Sequence, residues 1–195
     1  MNLQTGSLSF GSPEANLSHM AFTQLGLRLG IPVRSGGGQL SSSNCADGQA
    51  MQEASTGMMS DILAGANMIY HSAGWLEGGL SMGYEKFVMD LDHCGMMLKL
   101  AGGIPVDKES FGQEAYLQTE PGGNFLATDH TMENFKKANY QSTLGDAGSF
   151  EQWTEDGALT LEQRANKRWK SMLEEYQAPE IDPAIDEALI EFMER

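Results

Sequence analysis

Two kinds of apolar spacing alternate along the first half of the chain, and only one of them continues into the second half. Leu17, Ala21, Leu25 and Leu29 recur every four residues, which predicts a helix with one apolar face. Ser12 is placed to cap its start, Pro13 suits its first position, and Gly30 followed by Pro32 ends it. Met51, Ala54, Met58 and Ile62 mark a second helix that opens near Asp47 and stops at Gly65. A third runs from Ser81 to Leu100, with Tyr84, Phe87, Val88, Leu91, Cys94 and Leu98 as its stripe. Each is preceded by a short extended run: Leu8-Ser9-Phe10, then Ile31 to Arg34, then Asn67 to His71.

Strand, loop and helix in repeated succession imply parallel strands, because a helical crossover returns each new strand in the same direction. An open doubly wound sheet and a closed eight-stranded barrel share this local order, and both build their sites at the C-terminal ends of the strands. From Asp107 onward only helices are predicted. Asp107 caps one that reaches Leu117, another spans Asp129 to Tyr140, and a short one follows Ser149. Thr160-Leu161-Glu162-Gln163 is a capping box for a long helix to Tyr176. Asp182-Pro183 opens the last, with Ile185, Leu189 and Phe192 predicted on its inner face.

Charge divides the chain at the same place. Residues 1–80 hold five acids and two bases of the 27 and 12 in the whole chain, and 17 of the 23 glycines lie in residues 1–103. The front therefore reads as buried and the back as a solvated helical layer. With 195 residues, 41% of them hydrophobic, the chain is long enough for one ordinary core. A net charge of −15 argues against nucleic acid or an anionic membrane surface as partner, since both need clustered Lys and Arg. The first eleven residues show no secretory leader and no stretch is apolar for long enough to cross a bilayer. Cys45 and Cys94 then read as reduced thiols of a cytoplasmic protein.

Two loops carry candidate chemistry. Arg34-Ser35-Gly36-Gly37-Gly38 and the residues to Asp47 follow a strand and open a helix, an arrangement in which backbone amides converge on an anion. The same glycines also suit a plain turn, with Asn44 or Asp47 capping the next helix. Tyr70-His71-Ser72-Ala73-Gly74-Trp75-Leu76-Glu77-Gly78-Gly79-Leu80 sets a histidine at a strand end and an aromatic and an acid on a glycine-hinged loop. His93 and Cys94 are adjacent within a helix and point apart, so they make a poor metal pair, and no spacing of His, Cys, Asp and Glu suggests a metal site. His130 reads as a helix-start residue, and His19 lies inside the first helix.

The run from His71 to Leu80, followed by Tyr84-Glu85-Lys86-Phe87-Val88-Met89-Asp90, resembles the trimethylamine:corrinoid methyltransferase family. Gly6-Ser7-Leu8-Ser9-Phe10-Gly11-Ser12-Pro13-Glu14, Arg34 to Gly38, Pro121 to Leu126, Arg164 to Lys170 and Asp182 to Leu189 agree with it. The resemblance implies an α/β fold: a partial (β/α)8 TIM-type barrel of about three strand-helix units over residues 1–103, followed by a C-terminal helical segment over residues 104–195 of the same domain. It also implies methyl transfer from a methylated amine to the cobalt of a corrinoid (cobalamin) held by a separate protein, with no cofactor bound directly. The sequence has only standard residues, so it is similar to the branch without pyrrolysine, which includes glycine betaine methyltransferases.

On that resemblance, Trp75 and Tyr70 offer aromatic faces to a quaternary ammonium, Glu77 balances its charge, and His71 or Arg34 meets a substrate carboxylate. No side chain is assigned a catalytic proton transfer, because the step moves none. About three units stand where a barrel has eight. The expectations that follow are an inactive isolated chain, exposed apolar strand edges and self-association. The alternative is a non-catalytic module that binds a partner or completes another chain's barrel.

Overall fold

The computed structural model describes residues 2–36 and 38–194. Helix α1 (Pro13–Arg28) begins where Ser12 Oγ accepts the amide of Ala15 at 3.2 Å. Strand β1 (Arg34–Ser35) follows, then α2 (Gly48–Ala64), capped by Asp47 Oδ1 on the amide of Ala50 at 3.0 Å. Gly65 ends α2 in the left-handed region, at φ 84°. Strand β2 (Met68–Ile69) returns parallel to β1, with Arg34 opposite Met68 and Ser35 opposite Ile69. This is one strand-helix-strand unit. Ser35 Oγ donates to the buried Asp61 of α2 at 2.5 Å, which ties the strand to its crossover helix.

The segment read from sequence as a loop between Ser72 and Leu80 carries the first strand and the turn of a hairpin. Strands β3 (Trp75–Leu76) and β4 (Ser81–Met82) pair antiparallel around a 3-10 turn over Glu77–Gly79. Helix α3 (Tyr84–Ala101) therefore starts after Ser81, which the hairpin claims. The remaining helices are α4 (Gln113–Gln118), α5 (Asp129–Asn134), α6 (Phe150–Glu155), α7 (Leu161–Glu174) and α8 (Pro183–Met193). Thr160 and Gln163 close the expected capping box on α7.

Several expectations change. Leu8-Ser9-Phe10 forms no strand; the Ser42 hydroxyl donates to the carbonyls of Leu8 and Phe10, at 3.0 and 3.2 Å, in place of a ladder. The helix expected from Asp107 is a turn, closed by Asp107 Oδ1 on the amide of Ser110 at 2.7 Å, before the short α4. Helix α5 stops at Asn134, whose carbonyl takes the amides of both Lys137 and Ala138. Ile185, Leu189 and Phe192 of α8 are each more than half exposed, so that helix has no inner face here.

Helix α3 departs most from its pattern. Of the predicted stripe, Tyr84, Phe87, Leu91 and Leu98 are exposed, while Lys86, Val88, Met89, Asp90, Asp92 and His93 are buried. Val88 and Met89 pack with Leu144 and Ala165, and Trp169 lies against them. Glu85 Oε1 accepts Asn166 Nδ2 at 2.7 Å and Trp169 Nε1 at 2.8 Å, and Tyr84 stacks on the Trp169 ring at 4.9 Å. These contacts lock α7 onto α3, so the core crosses from the front of the chain to the back.

The result is a mixed α/β fold, rich in helix and poor in strand. Its surface is large. A compact chain of 21.2 kDa exposes about 9,000 Å², whereas this one exposes 14,061 Å². Leu25, Ile31, Met68, Leu91, Leu98 and Ile104 are among the large apolar side chains left open. Among the described residues no helix is long and apolar enough to cross a membrane.

Candidate functional site

The two parallel strands end side by side, and the chain leaves each of them into a loop. The amide of Tyr70 donates to Ser35 O at 2.9 Å, and the amide of Gln39 donates to His71 O at 3.2 Å, so the two exits are stitched together. His71 has φ 53°, a left-handed conformation that costs a non-glycine residue about 1–3 kcal/mol and persists only where neighbours enforce it. Here the enforcement is visible. The His71 ring places Nδ1 2.8 Å from Gly36 O. A carbonyl only accepts, so Nδ1 carries the proton and Nε2 is left for other work.

An aromatic and cationic row is built on this anchor. The Arg34 guanidinium lies over the Tyr70 ring, 4.4 Å from its centre. Tyr70 meets His71 edge to face at 5.9 Å, and His71 meets Trp75 edge to face at 5.4 Å. Arg34, Tyr70, His71 and Trp75 thus form one continuous series across both strand ends. Glu77 stands apart from it. Its amide donates to Ser43 O at 2.8 Å, its φ is 54°, and its side chain is exposed on the hairpin turn.

The glycine loop after β1 works through close approach. A Cβ on Gly38 would sit 2.6 Å from Ile69 Cγ2 and 3.0 Å from Tyr70 O, so only glycine lets the loop lie on β2. Gly36 supplies the carbonyl that holds His71. Gly37 lies outside the described residues. The amides expected to converge on an anion do so a few residues later, on the protein's own carboxylate. Ser42 and Ser43 donate their amides to Glu53 Oε2 at 2.6 and 3.3 Å, and Ser41 Oγ adds a third bond at 2.9 Å. Asp47 is the helix cap.

Behind the loop lies a buried polar group that the periodicity did not reveal. Lys86 and Asp90, one turn apart on α3 and both fully buried, form an ion pair through Asp90 Oδ2. Burial pushes the Asp90 carboxyl up to about 6, against the pull of Lys86, and burial also lowers the Lys86 ammonium. Asp90 Oδ2 takes the amide of Gly74 as well, at 2.8 Å, while Oδ1 has no hydrogen-bond partner among the described residues. Gln39 Nε2 donates to Asp90 O at 3.3 Å and to Cys94 Sγ at 2.9 Å, and its Oε1 lies 3.0 Å from His93 Nδ1. Burial lowers His93 and raises Cys94. The signal in the sequence was Lys86, Asp90 and His93 at i, i+4 and i+7, which puts three polar residues on one face of α3.

Comparison with known proteins assigns the chain to a family. The family model for trimethylamine methyltransferase (MTTB) matches residues 1–195. The chain belongs to the trimethylamine methyltransferase family. It is 38% identical over 192 residues to a glycine betaine methyltransferase of Desulfitobacterium hafniense strain Y51, covering 98% of this chain and 40% of that protein. The trimethylamine methyltransferase MttB of Desulfitobacterium hafniense strain DSM 10664 / DCB-2 is 32% identical over 176 residues, 90% of this chain and 35% of the relative. MttB2 of Methanosarcina mazei is 33% identical over 186 residues, 94% of this chain and 37% of the relative. The chain therefore spans about 40% of the length of the curated methylated-amine methyltransferases it matches.

Proposed function

We propose that this chain is the C-terminal part of a methylated-amine:corrinoid methyltransferase barrel, whose substrate is a quaternary ammonium compound such as glycine betaine. The observation that carries the reading is the row Arg34, Tyr70, His71, Trp75 across the ends of two adjacent parallel strands. In this reading β1 and β2 are two strands of a TIM-type barrel, residues 1–103 are its partial wall, and residues 104–195 are a helical layer of the same domain. The absence of pyrrolysine from the sequence favours a substrate that already carries a fixed positive charge. The first relative, a glycine betaine methyltransferase, points the same way.

The chemistry asks little proton transfer of the protein. The cobalt of a corrinoid, carried by a partner protein, supplies the acceptor for the methyl group. A neutral tertiary amine leaves, so no general base is required. The side chains hold the cation, orient the methyl and exclude water. Trp75 presents an aromatic face to the ammonium and Tyr70 the face that Arg34 does not cover, each contributing about 0.5–2 kcal/mol. Arg34 is the fixed cation available to a substrate carboxylate. His71, with its Nδ1 proton committed to Gly36, stands between the Tyr70 and Trp75 rings and keeps Nε2 for a substrate carboxylate. Glu77 faces outward on the hairpin turn and balances charge at the rim.

The test is a titration of glycine betaine against the chain completed by the rest of a barrel. Trp75→Leu should weaken binding by about 2- to 30-fold, the range that 0.5–2 kcal/mol implies, with a melting temperature close to the parent's. A collapse in stability with unchanged affinity per folded molecule would make Trp75 a packing residue and sink the assignment. A second reading is favoured by the 14,061 Å² of exposed surface: a module that completes another chain's barrel or associates with itself.

A further inference from the structure

The loop that carries His71 and Trp75 makes few hydrogen bonds of its own, yet three of its backbone groups are held from behind. Asp90 Oδ2 accepts the amide of Gly74 at 2.8 Å. Cys94 Sγ donates to Ser72 O at 3.3 Å. Gln39 donates its amide to His71 O at 3.2 Å, and its own carbonyl accepts Lys86 Nζ at 3.4 Å. Lys86 and Asp90 close the circuit. The path runs Lys86, Asp90, Gly74, back along the loop to His71, across to Gln39 and again to Lys86. It joins the loop after β1 and the loop after β2 to a single helix.

Local geometry shows that Gly74 is built for this contact. It has φ 87°, and a Cβ there would lie 2.8 Å from Met82 Cε and 3.3 Å from Phe87. Only glycine lets the backbone turn into the carboxylate at that point. A buried ion pair adds little net stability compared with apolar residues of the same size, so its presence asks for another role, of which fixing one arrangement among several is the best attested. Asp90 sharpens the question. The contacts its carboxylate makes with Gly74 and with Lys86 both go through Oδ2.

We infer that Lys86 and Asp90 are positioning residues that fix the His71–Trp75 loop in its binding geometry, with Gly74 as the point of attachment. Asp90 orients the turn between the two aromatic residues, and Lys86 holds Asp90 charged and aimed while reaching Gln39 on the neighbouring loop. Neither side chain touches the pocket row. The inference rests on the proposed site only for what the loop is positioned to do; the attachment itself is read independently of any ligand.

The experiment is residue-resolved amide exchange on the full chain, comparing D90A, the double variant K86M/D90L, and D92N as a control on the same helix. Asp92 is also buried, but it holds Ser142 and Thr143 instead of the loop. D90A should raise exchange at Gly74 at least 10-fold relative to the amides of Leu91 to Leu98, and D92N should not. The double variant should restore the parent's resistance to urea while Gly74 stays unprotected, a separation that a purely structural role cannot produce. If D90A does not fold, the double variant carries the test alone. Gly74 protection that survives in either variant, or that returns together with stability in the double variant, overturns the inference. Titrating the completed barrel with glycine betaine separates the two readings. Affinity lost in step with Gly74 protection supports both. Affinity unchanged while protection is lost defeats the loop as the binding site and leaves the attachment standing.

Discussion

Lys86→Met should destabilise the fold by about 3–5 kcal/mol near neutral pH, the cost of leaving one member of a buried ion pair without its partner. The size follows from burial: Lys86 and Asp90 both have no exposed side-chain surface, so water cannot take over the lost contact. The loss should shrink as the solution is made acidic. Burial already lifts the Asp90 carboxyl from the ordinary 3.8 to about 6 with Lys86 beside it, and without that cation it rises further. A carboxyl whose folded value exceeds its unfolded value binds its proton more tightly when folded. Its stabilising contribution is complete below the unfolded value and is lost as pH rises through the folded one. In the variant, a neutral Asp90 near pH 4 needs no counter-ion, so the gap to the parent narrows between about pH 7 and pH 4. Urea unfolding of both proteins across that range measures it. A gap of under 1 kcal/mol at pH 7, or one that widens on acidification, would show that Asp90 is not held as a buried charge.

The pair is hidden in the sequence because the apolar stripe of α3 is not its buried face. Tyr84, Phe87, Leu91 and Leu98 recur at helical spacing, and a stripe of that kind ordinarily turns inward. In this structure it faces out, while the face carrying Lys86, Asp90 and His93 is buried against the loops. Polar residues satisfied by loop backbone leave no periodic trace, because their partners, Gly74 and Gln39, are distant in sequence. Local signals were legible where one residue decides the outcome. Ser12, Asp47, Thr160 and Asp182 each cap the helix they announce, and Gly65 stops α2. Of the run Asn67 to His71 expected as a strand, Met68 and Ile69 pair with β1 across one crossover. Leu8 to Phe10 carries the same kind of pattern, yet its carbonyls go to Ser42. The site was legible as a list of residues and not as an arrangement. Arg34 and Tyr70 are 36 positions apart, and their cation–π contact exists only because β1 and β2 are parallel neighbours. Glu77, the residue closest in sequence to Trp75 among the site candidates, is the one the hairpin carries away from the row.

The isolated chain should show no methyl transfer from glycine betaine to cob(I)alamin above a protein-free control, and fusion to the remaining portion of a full-length relative should restore it. The physical reason is the state of the wall around the row. Among the described residues the parallel sheet consists of two strands of two residues each, whereas a closed barrel surrounds its site with eight. One side of Tyr70 and Arg34 is therefore open to water, where a cation–π contact is worth its smallest value and a substrate carboxylate keeps its hydration. Completing the wall dries the pocket and strengthens each of these contacts without changing a single site residue. The same completion should bury the exposed apolar stripe of α3 and reduce the binding of hydrophobic dyes. The informative partner for the fusion is the front ~60% of the Desulfitobacterium hafniense glycine betaine methyltransferase, since this chain matches 40% of that protein at 38% identity. Turnover by the 195-residue chain alone would mean that two strand ends suffice for the chemistry. A well-folded fusion that binds glycine betaine with Trp75-dependent affinity but transfers no methyl group would place the binding site correctly and remove this chain from the reaction.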